Sequence, residues 1–273
     1  MLDYSEAVPV SPDELDRLLA FALTVAEEAG RATLPYFRSD LAIDDKRTAG
    51  RFDPVTEADR EAERVIRTAV SEAYPEHGVF GEEFGYQAGN GLTWVVDPID
   101  GTRAFMTGML HWGVLLALFD GQRPVLGVLH QPFTGESFYG DNHVARYRRG
   151  ELEQVLRCRP CASLNQAVLA TTSPKLFSGV GEREAFERLE AEVKLSRYGG
   201  DCYIYAMLAM GLVDVATDAG LHAYDIQALM PIIRGAGGVV STLDGGDSSM
   251  GGLVVAAGSP GLHSLALARM MGE

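Results

Sequence analysis

The N-terminal stretch carries its apolar positions at helical spacing. Ser11-Pro12-Asp13-Glu14 reads as an N-cap, a first-turn proline and two early acids. Leu15, Leu18, Leu19, Ala22, Val25, Ala26 and Ala29 then recur on one face, which predicts an amphipathic helix to about Tyr36. Leu41 to Asp53 is polar and holds Gly50, so a short strand or a loop is expected there. Thr56-Glu57-Ala58-Asp59 opens a second helix, with Ala62, Val65, Ile66, Ala69, Val70 and Ala73 on its inner face and Pro75 ending it.

From Val79 the period becomes that of strands. Val79-Phe80, Trp94 to Val96, Val114 to Phe119, Val125 to His130 and Glu136 to Tyr139 are short apolar runs bounded by Gly, Asp and Pro. Asp120-Gly121-Gln122-Arg123-Pro124 reads as a hairpin turn between two of them, so the middle of the chain is a meandering sheet. After about Gly150 the elements alternate. Strands are expected at 168–172, 195–198, 213–217, 239–242 and 253–257, and helices at 182–193, 201–210, 225–234 and from Pro260. The chain is thus read as α/β (α+β), in two parts, 1–150 and 151–273, that share an interface with a site between them.

Charge narrows the partners. Lys plus Arg total 23 against 38 for Asp plus Glu, a net charge of −15 over 273 residues. Nucleic acid and anionic membranes, which need a basic face to release counterions, are excluded as general partners. A small phosphorylated molecule is acceptable only where a metal ion reverses the local field. The longest nearly unbroken apolar run, Trp112 to Phe119, falls far short of the ~20 residues of a membrane helix. The acidic start has no apolar signal core, and three cysteines do not make a disulfide framework; a cytoplasmic protein is expected.

The segment Trp94-Val95-Val96-Asp97-Pro98-Ile99-Asp100-Gly101-Thr102 holds the densest chemistry. An apolar strand delivers two carboxylates, Pro98 keeps Asp97 extended, and the Gly-Thr turn offers backbone N–H groups to a phosphate oxygen. A hard-cation site with a phosphate seat fits this pattern, as does a strand-ending Asx turn with Asp100 capping the next helix. Gly81-Glu82-Glu83 closes the preceding short strand and brings another acid to the same edge. Tyr224-Asp225-Ile226 opens a helix in which Asp225 serves equally as a cap.

Jointly these segments resemble the inositol monophosphatase superfamily of metal-dependent, lithium-sensitive phosphatases. Asp53-Pro54-Val55-Thr56-Glu57-Ala58-Asp59 fits that family's D-x-V-T-x-x-D pattern, and Gly235-Ala236-Gly237-Gly238-Val239-Val240 follows Asp225 as in its members. The resemblance runs from about residue 15 to the C-terminus. It implies a layered αβαβα sandwich with a largely antiparallel sheet in the first half, and commonly a homodimer. It makes Glu82, Asp97, Asp100, Asp225 and the carbonyl of Ile99 ligands of Mg²⁺, with Asp59 at a weaker further ion, two to three ions in all. It also implies that Glu82 and Thr102 position or deprotonate the attacking water, and that the amides of Gly101 and Thr102 hold the phosphate of a small phosphomonoester. Lys46 lies near the family's basic residue beside the phosphate.

The chain departs from inositol-specific members at Arg103, after D-G-T, and at Gly199-Gly200-Asp201-Cys202-Tyr203, where a carboxylate replaces small neutral residues. Asp218 matches the family's acidic contact to the non-phosphate part of the substrate. Two acids beside the leaving group favour a cationic substrate over a neutral polyol. These variants look like the histidinol-phosphatase branch, which hydrolyses L-histidinol phosphate. The alternatives are an inositol-1-monophosphatase or a broad sugar or nucleotide phosphomonoesterase, with Asp201 then only a helix N-cap, and a metal-bound interaction module without turnover. Cys158-Arg159-Pro160-Cys161 lacks the second pair a zinc site needs, and the six histidines show no ligand spacing. Neither a P-loop nor a G-x-S-x-G elbow is present.

Overall fold

A computed structural model describes residue 2 and residues 6–39, 43–45 and 54–273. Lys46 and Asp53, singled out above, lie outside the described residues. Helix α1 (Pro12–Thr33) starts where its cap predicts: the Ser11 hydroxyl accepts from the Glu14 N–H at 3.3 Å. It stops short of Tyr36, because Pro35 has no N–H to donate to the carbonyl of Arg31. A short antiparallel ribbon follows, β1 (Ile43–Asp45) with β2 (Pro54–Thr56), and then α2 (Glu57–Ala73).

The next strands are β3 (Gly78–Gly81), β4 (Gly85–Gln87) and β5 (Thr93–Asp100), then the short helix α3 (Thr102–Met106). β6 (Gly113–Phe119), β7 (Pro124–Gln131), β8 (Glu136–Gly140), β9 (Ala145–Arg149) and β10 (Leu152–Val155) complete an eight-stranded sheet in the order β10-β9-β8-β7-β6-β5-β3-β4. Every pair in it is antiparallel except β3 with β5. The sheet therefore runs past Gly150. β4 and β10 lie outside the expected strands because they are short edge strands with little apolar signature, and β9 because arginines alternate with its two buried residues, Ala145 and Tyr147.

The remaining chain gives β11 (Val168–Thr171), α4 (Glu182–Glu190), β12 (Leu195–Tyr198), α5 (Asp201–Ala209), β13 (Val215–Leu221), α6 (Ala223–Ile226), α7 (Leu229–Gly235), β14 (Val239–Thr242), β15 (Gly252–Ala257) and α8 (Pro260–Met271). Its mixed sheet has the order β12-β11-β13-β15-β14. β13 starts and ends later than expected, and so carries Asp218 within the strand. The single helix expected over 225–234 is two, α6 and α7. Pro231 cannot donate to the carbonyl of Gln227, so the hydrogen-bond ladder breaks there while Pro231 sits harmlessly in the first turn of α7.

The elements stack as αβαβα: α1 and α2, the large sheet, α5 to α7, the small sheet, then α4 and α8. The apolar run of β6 faces two cores at once. Val114, Leu116 and Leu118 join Leu18, Ala22 and Ile66 under the first helix pair, while Leu115, Ala117 and Phe119 join Met230 and Ile233 of α7. A strand buried on both faces reads as continuous hydrophobicity, which is why this segment stood out in the sequence.

Candidate active site

β5 enters the site buried and leaves it bent. Its register with β6 holds to Asp97 opposite Leu115, then slips before Asp100 opposite Gly113. Pro98, which offers the ladder no N–H, sits in that irregularity. The Ile99 N–H donates to Oδ1 of Asp97 at 3.1 Å, closing an Asx turn, and the Thr102 hydroxyl donates to the Ile99 carbonyl at 3.2 Å. Gly101 caps α3 in the left-handed region at φ 88°, and an added Cβ would stand 2.5 Å from the carbonyl oxygen of His111. Only glycine fits this turn. No side chain caps α3, so Asp100 is left to face the cleft and does not act as its cap.

Asp225 arrives from the other half of the chain. It lies in the first turn of α6, and the His222 N–H donates to its Oδ2 at 2.6 Å, so the cap role and a place in the cleft coexist. Asp97, Asp100 and Asp225 each offer a carboxylate oxygen, all within 4.8 Å of one another. Burial pushes the Asp97 carboxyl well up, helped by the charges of Glu82, Asp100, Asp225 and Asp59. Burial likewise raises Asp100, helped by Asp201 and Asp225 and opposed by the Cys202 N–H, which donates to Asp100 Oδ2 at 2.6 Å. Asp59, in the first turn of α2, is itself 2% exposed. Carboxylates this close, one buried and two half-buried, repel one another; a hard divalent cation with oxygen ligands answers that defect. The residues present therefore fit a metal ion.

A cleft of about 670 Å³ opens over these groups. Of the residues predicted from sequence, Glu82, Asp97, Ile99, Asp100, Gly101, Thr102, Arg103, Asp201, Asp218 and Asp225 all line it, while Asp59 is outside the lining, buried, and near enough for its charge to act on Asp97. Asp201 is not the N-cap of α5. That position is Gly200, and Asp201 is the first helical residue, held at φ 43° where a side chain is strained. Its carboxyl is pushed up to about 6, first by burial and further by Asp225, against the pull of Arg103.

Asp218 forms the far wall and is 1% exposed. Its Oδ1 accepts from the Thr171 hydroxyl at 2.8 Å and the Thr172 N–H at 2.7 Å. Its Oδ2 accepts from the hydroxyls of Thr172 and Tyr205, each at 3.2 Å. Burial still raises its carboxyl to about 7, with the Thr172 and Thr171 hydrogen bonds opposing. Thr172, held in this way, and Ser173 and Lys175 after it also line the cleft, a rim that sequence reading missed. Only its position after β11, at the C-terminal end of a strand in the second sheet, could have suggested it. Cys158 and Cys161 are free thiols outside the cleft lining. No helix among the described residues is long and apolar enough to cross a membrane.

The fold and the acidic cleft define a phosphomonoesterase of the layered αβαβα type. The chain belongs to the inositol monophosphatase family, whose model matches residues 14–271, and it is a metal-dependent phosphoric monoester hydrolase acting on small phosphomonoesters. It is 38% identical to a bifunctional chloroplastic phosphatase of Arabidopsis thaliana over 94% of this chain and 76% of that one. It is 36% identical to a histidinol-phosphatase of Chlorobaculum parvum over 81% of this chain and 83% of that one. A solved inositol monophosphatase from Zymomonas mobilis superposes with a TM-score of 0.83 at 36% identity, covering 94% of this chain and 98% of that one.

Proposed function

We propose that this enzyme hydrolyses L-histidinol phosphate to L-histidinol and phosphate, using Mg²⁺ held by Glu82, Asp97, Asp100, Asp225 and the carbonyl of Ile99, with Asp59 at a further, weaker site. The single observation that carries the substrate choice is Asp201. A strained, largely buried carboxylate beside Arg103, on the rim of an already acidic cleft, suits a ligand that brings its own positive charge.

When bound, the metal would offset the phosphate dianion and lower the pKa of a water near it. The chain supplies the rest. Gly101 and Thr102 turn their backbone N–H groups toward the phosphate, in a turn that only glycine permits. Glu82 and the Thr102 hydroxyl orient the attacking water opposite the leaving oxygen, the hydroxyl oxygen accepting a hydrogen bond from it and the Glu82 carboxylate taking its proton. Asp201 pairs with the ammonium or imidazole end of the substrate, Arg103 tunes Asp201 and reaches the ester, and Asp218 keeps the Thr172 rim in place against the substrate's non-phosphate part. Histidinol-phosphatase and inositol monophosphatase names both occur among proteins at similar identity, so substrate ratios decide.

The experiment is phosphate release by the purified protein with Mg²⁺ on L-histidinol phosphate, myo-inositol 1-phosphate, fructose 1,6-bisphosphate and adenosine 3′,5′-bisphosphate. A preference of about a hundredfold in kcat/KM for histidinol phosphate, or about 2.7 kcal/mol, is expected. A preference for inositol phosphate would leave the metal chemistry intact and refute the role of Asp201. No release from any substrate would favour a metal-bound interaction module.

A further inference from the structure

Glu63 is charged, wholly buried and absent from the cleft, and nothing in the chemistry above uses it. It stands one helical turn after Asp59 on α2, on the face that turns toward β3. Its Oε2 accepts from the Glu83 N–H at 2.8 Å, and its Oε1 from the Phe84 N–H at 3.2 Å and from Nε of Arg67 at 2.7 Å. A Cβ on Gly81 would stand 2.0 Å from Glu63 Oε1, so the chain leaves β3 directly against this carboxylate.

The rest of α2 grips the same turn. Arg67 donates to the Gly85 carbonyl, Arg60 faces the Glu83 carboxylate at 3.7 Å, and Arg64 lies over the Phe84 ring at 5.6 Å. Glu83, Phe84 and Gly85 are thus all bound to the helix, while the side chain of Glu82 goes into the cleft. We propose that Glu63 is the positioning residue of Glu82: its buried carboxylate pins the turn that aims Glu82 at the metal-binding carboxylates. The inference rests on the reading that Glu82 serves that centre.

A carboxylate can accept from three donors at once, whereas a glutamine amide would set its own NH₂ against one of them. Glu63→Gln, Glu82→Gln and the double variant test the claim through Mg²⁺ affinity by calorimetry without substrate, kcat and KM, and amide exchange at Glu83 and Phe84 in the metal-free protein. Glu82→Gln is expected to lose at least about a hundredfold in kcat/KM, and Glu63→Gln about 10–100-fold, with weaker Mg²⁺ binding and faster exchange at those two amides. In the Glu82→Gln background, Glu63→Gln should add less than about threefold, because its effect passes through Glu82.

Losses that multiply in the double variant, or unchanged exchange and Mg²⁺ affinity in Glu63→Gln, would overturn the inference alone. A harmless Glu82→Gln would instead remove the site reading, and the inference with it. Should Glu63→Gln not fold, Arg67→Met is read by the same exchange and calorimetry: faster exchange at Glu83 and Phe84 with weaker Mg²⁺ binding supports the inference, and no change in either refutes it.

Discussion

The backbone N–H of Cys202 donates to Oδ2 of Asp100 at 2.6 Å, so the first turn of α5 holds a carboxylate delivered by β5, 102 residues earlier in the chain. The second half of the molecule thereby clamps the acid end of the first. Asp225 reaches the same point from α6, and the acidic centre exists only when both sheets are in place.

This dependence makes Asp97 and Asp100 informative to neutralise. Asp97→Asn or Asp100→Asn should cost at least about a hundredfold in turnover, since partners one shell further out already cost 10–100-fold. The metal-free variants should be as stable as the parent or more so at neutral pH, because each removes a buried charge whose neighbours repel it. A gain of about 1 kcal/mol would raise Tm by about 2–4 °C in a chain of this size. Near-normal activity in either variant would sink the assignment of these residues as ligands.

Metal removal supplies the complementary measurement. Chelation should abolish phosphate release, and adding Mg²⁺ back at about a hundred times its Kd should restore it with about 2.7 kcal/mol of added stability. Thermal scans with and without the ion check this. A chelated protein that keeps its full rate would exclude a metal role for the cluster.

Gly101→Ala should damage both fold and function. A side chain at φ 88° pays about 1–2 kcal/mol for the left-handed conformation, and the new Cβ also meets the His111 carbonyl at 2.5 Å. Tm should fall, and kcat should fall further than stability explains, as the turn that presents the Gly101 and Thr102 amides shifts. Unchanged kcat in a destabilised variant would separate this turn from phosphate binding.

What could be read from the chain is what is local in it. Asp97-Pro98-Ile99-Asp100-Gly101-Thr102 is one strand end, and its carboxylates, bend and turn lie in consecutive residues, so spacing marked them as candidates and the family resemblance favoured a metal site over a plain Asx turn. The double apolar face of β6 was equally plain. Glu63 was hidden because its partners, Glu83 and Phe84, lie some twenty positions away and the contact runs through backbone N–H groups that any residue would offer. The Thr172 rim was hidden for the same reason, since its partner Asp218 lies 46 positions away on β13 and takes one of its two hydrogen bonds with Thr172 from a backbone N–H. The break between α6 and α7 was legible in Pro231 but was outweighed by an unbroken apolar pattern around it.

Asp218 sets a pH dependence with a definite sign. Its folded carboxyl is raised to about 7 from an ordinary value near 3.8, so the folded state holds a proton that the unfolded state releases. The stability this contributes is fully present below the unfolded value and is lost as pH rises through about 7. Metal-free protein should therefore lose Tm between about pH 4 and 7 more steeply than Asp218→Asn, whose amide carries no titrating proton. Parallel curves for the two proteins over that range would show that Asp218 is ionised throughout.

In the proposed reading Asp201 sets which phosphate ester the enzyme prefers, and this is tested by comparing substrates within one variant. Removing a carboxylate that faces a cationic leaving group should weaken kcat/KM for L-histidinol phosphate by about tenfold or more, the scale of losing one partner of a partly buried charge pair. The same change should leave inositol 1-phosphate nearly untouched or improve it, because a neutral polyol gains nothing from a further negative charge. Asp201→Ala tolerates the φ of 43° less well than aspartate does, so Asp201→Asn, which tolerates that conformation about as well, serves as the control for backbone effects. If both variants lose equally on both substrates, Asp201 acts on the fold of the cleft and not on the choice of ester. A selective loss on the cationic substrate in both, with Tm unchanged, would make the carboxylate itself the determinant.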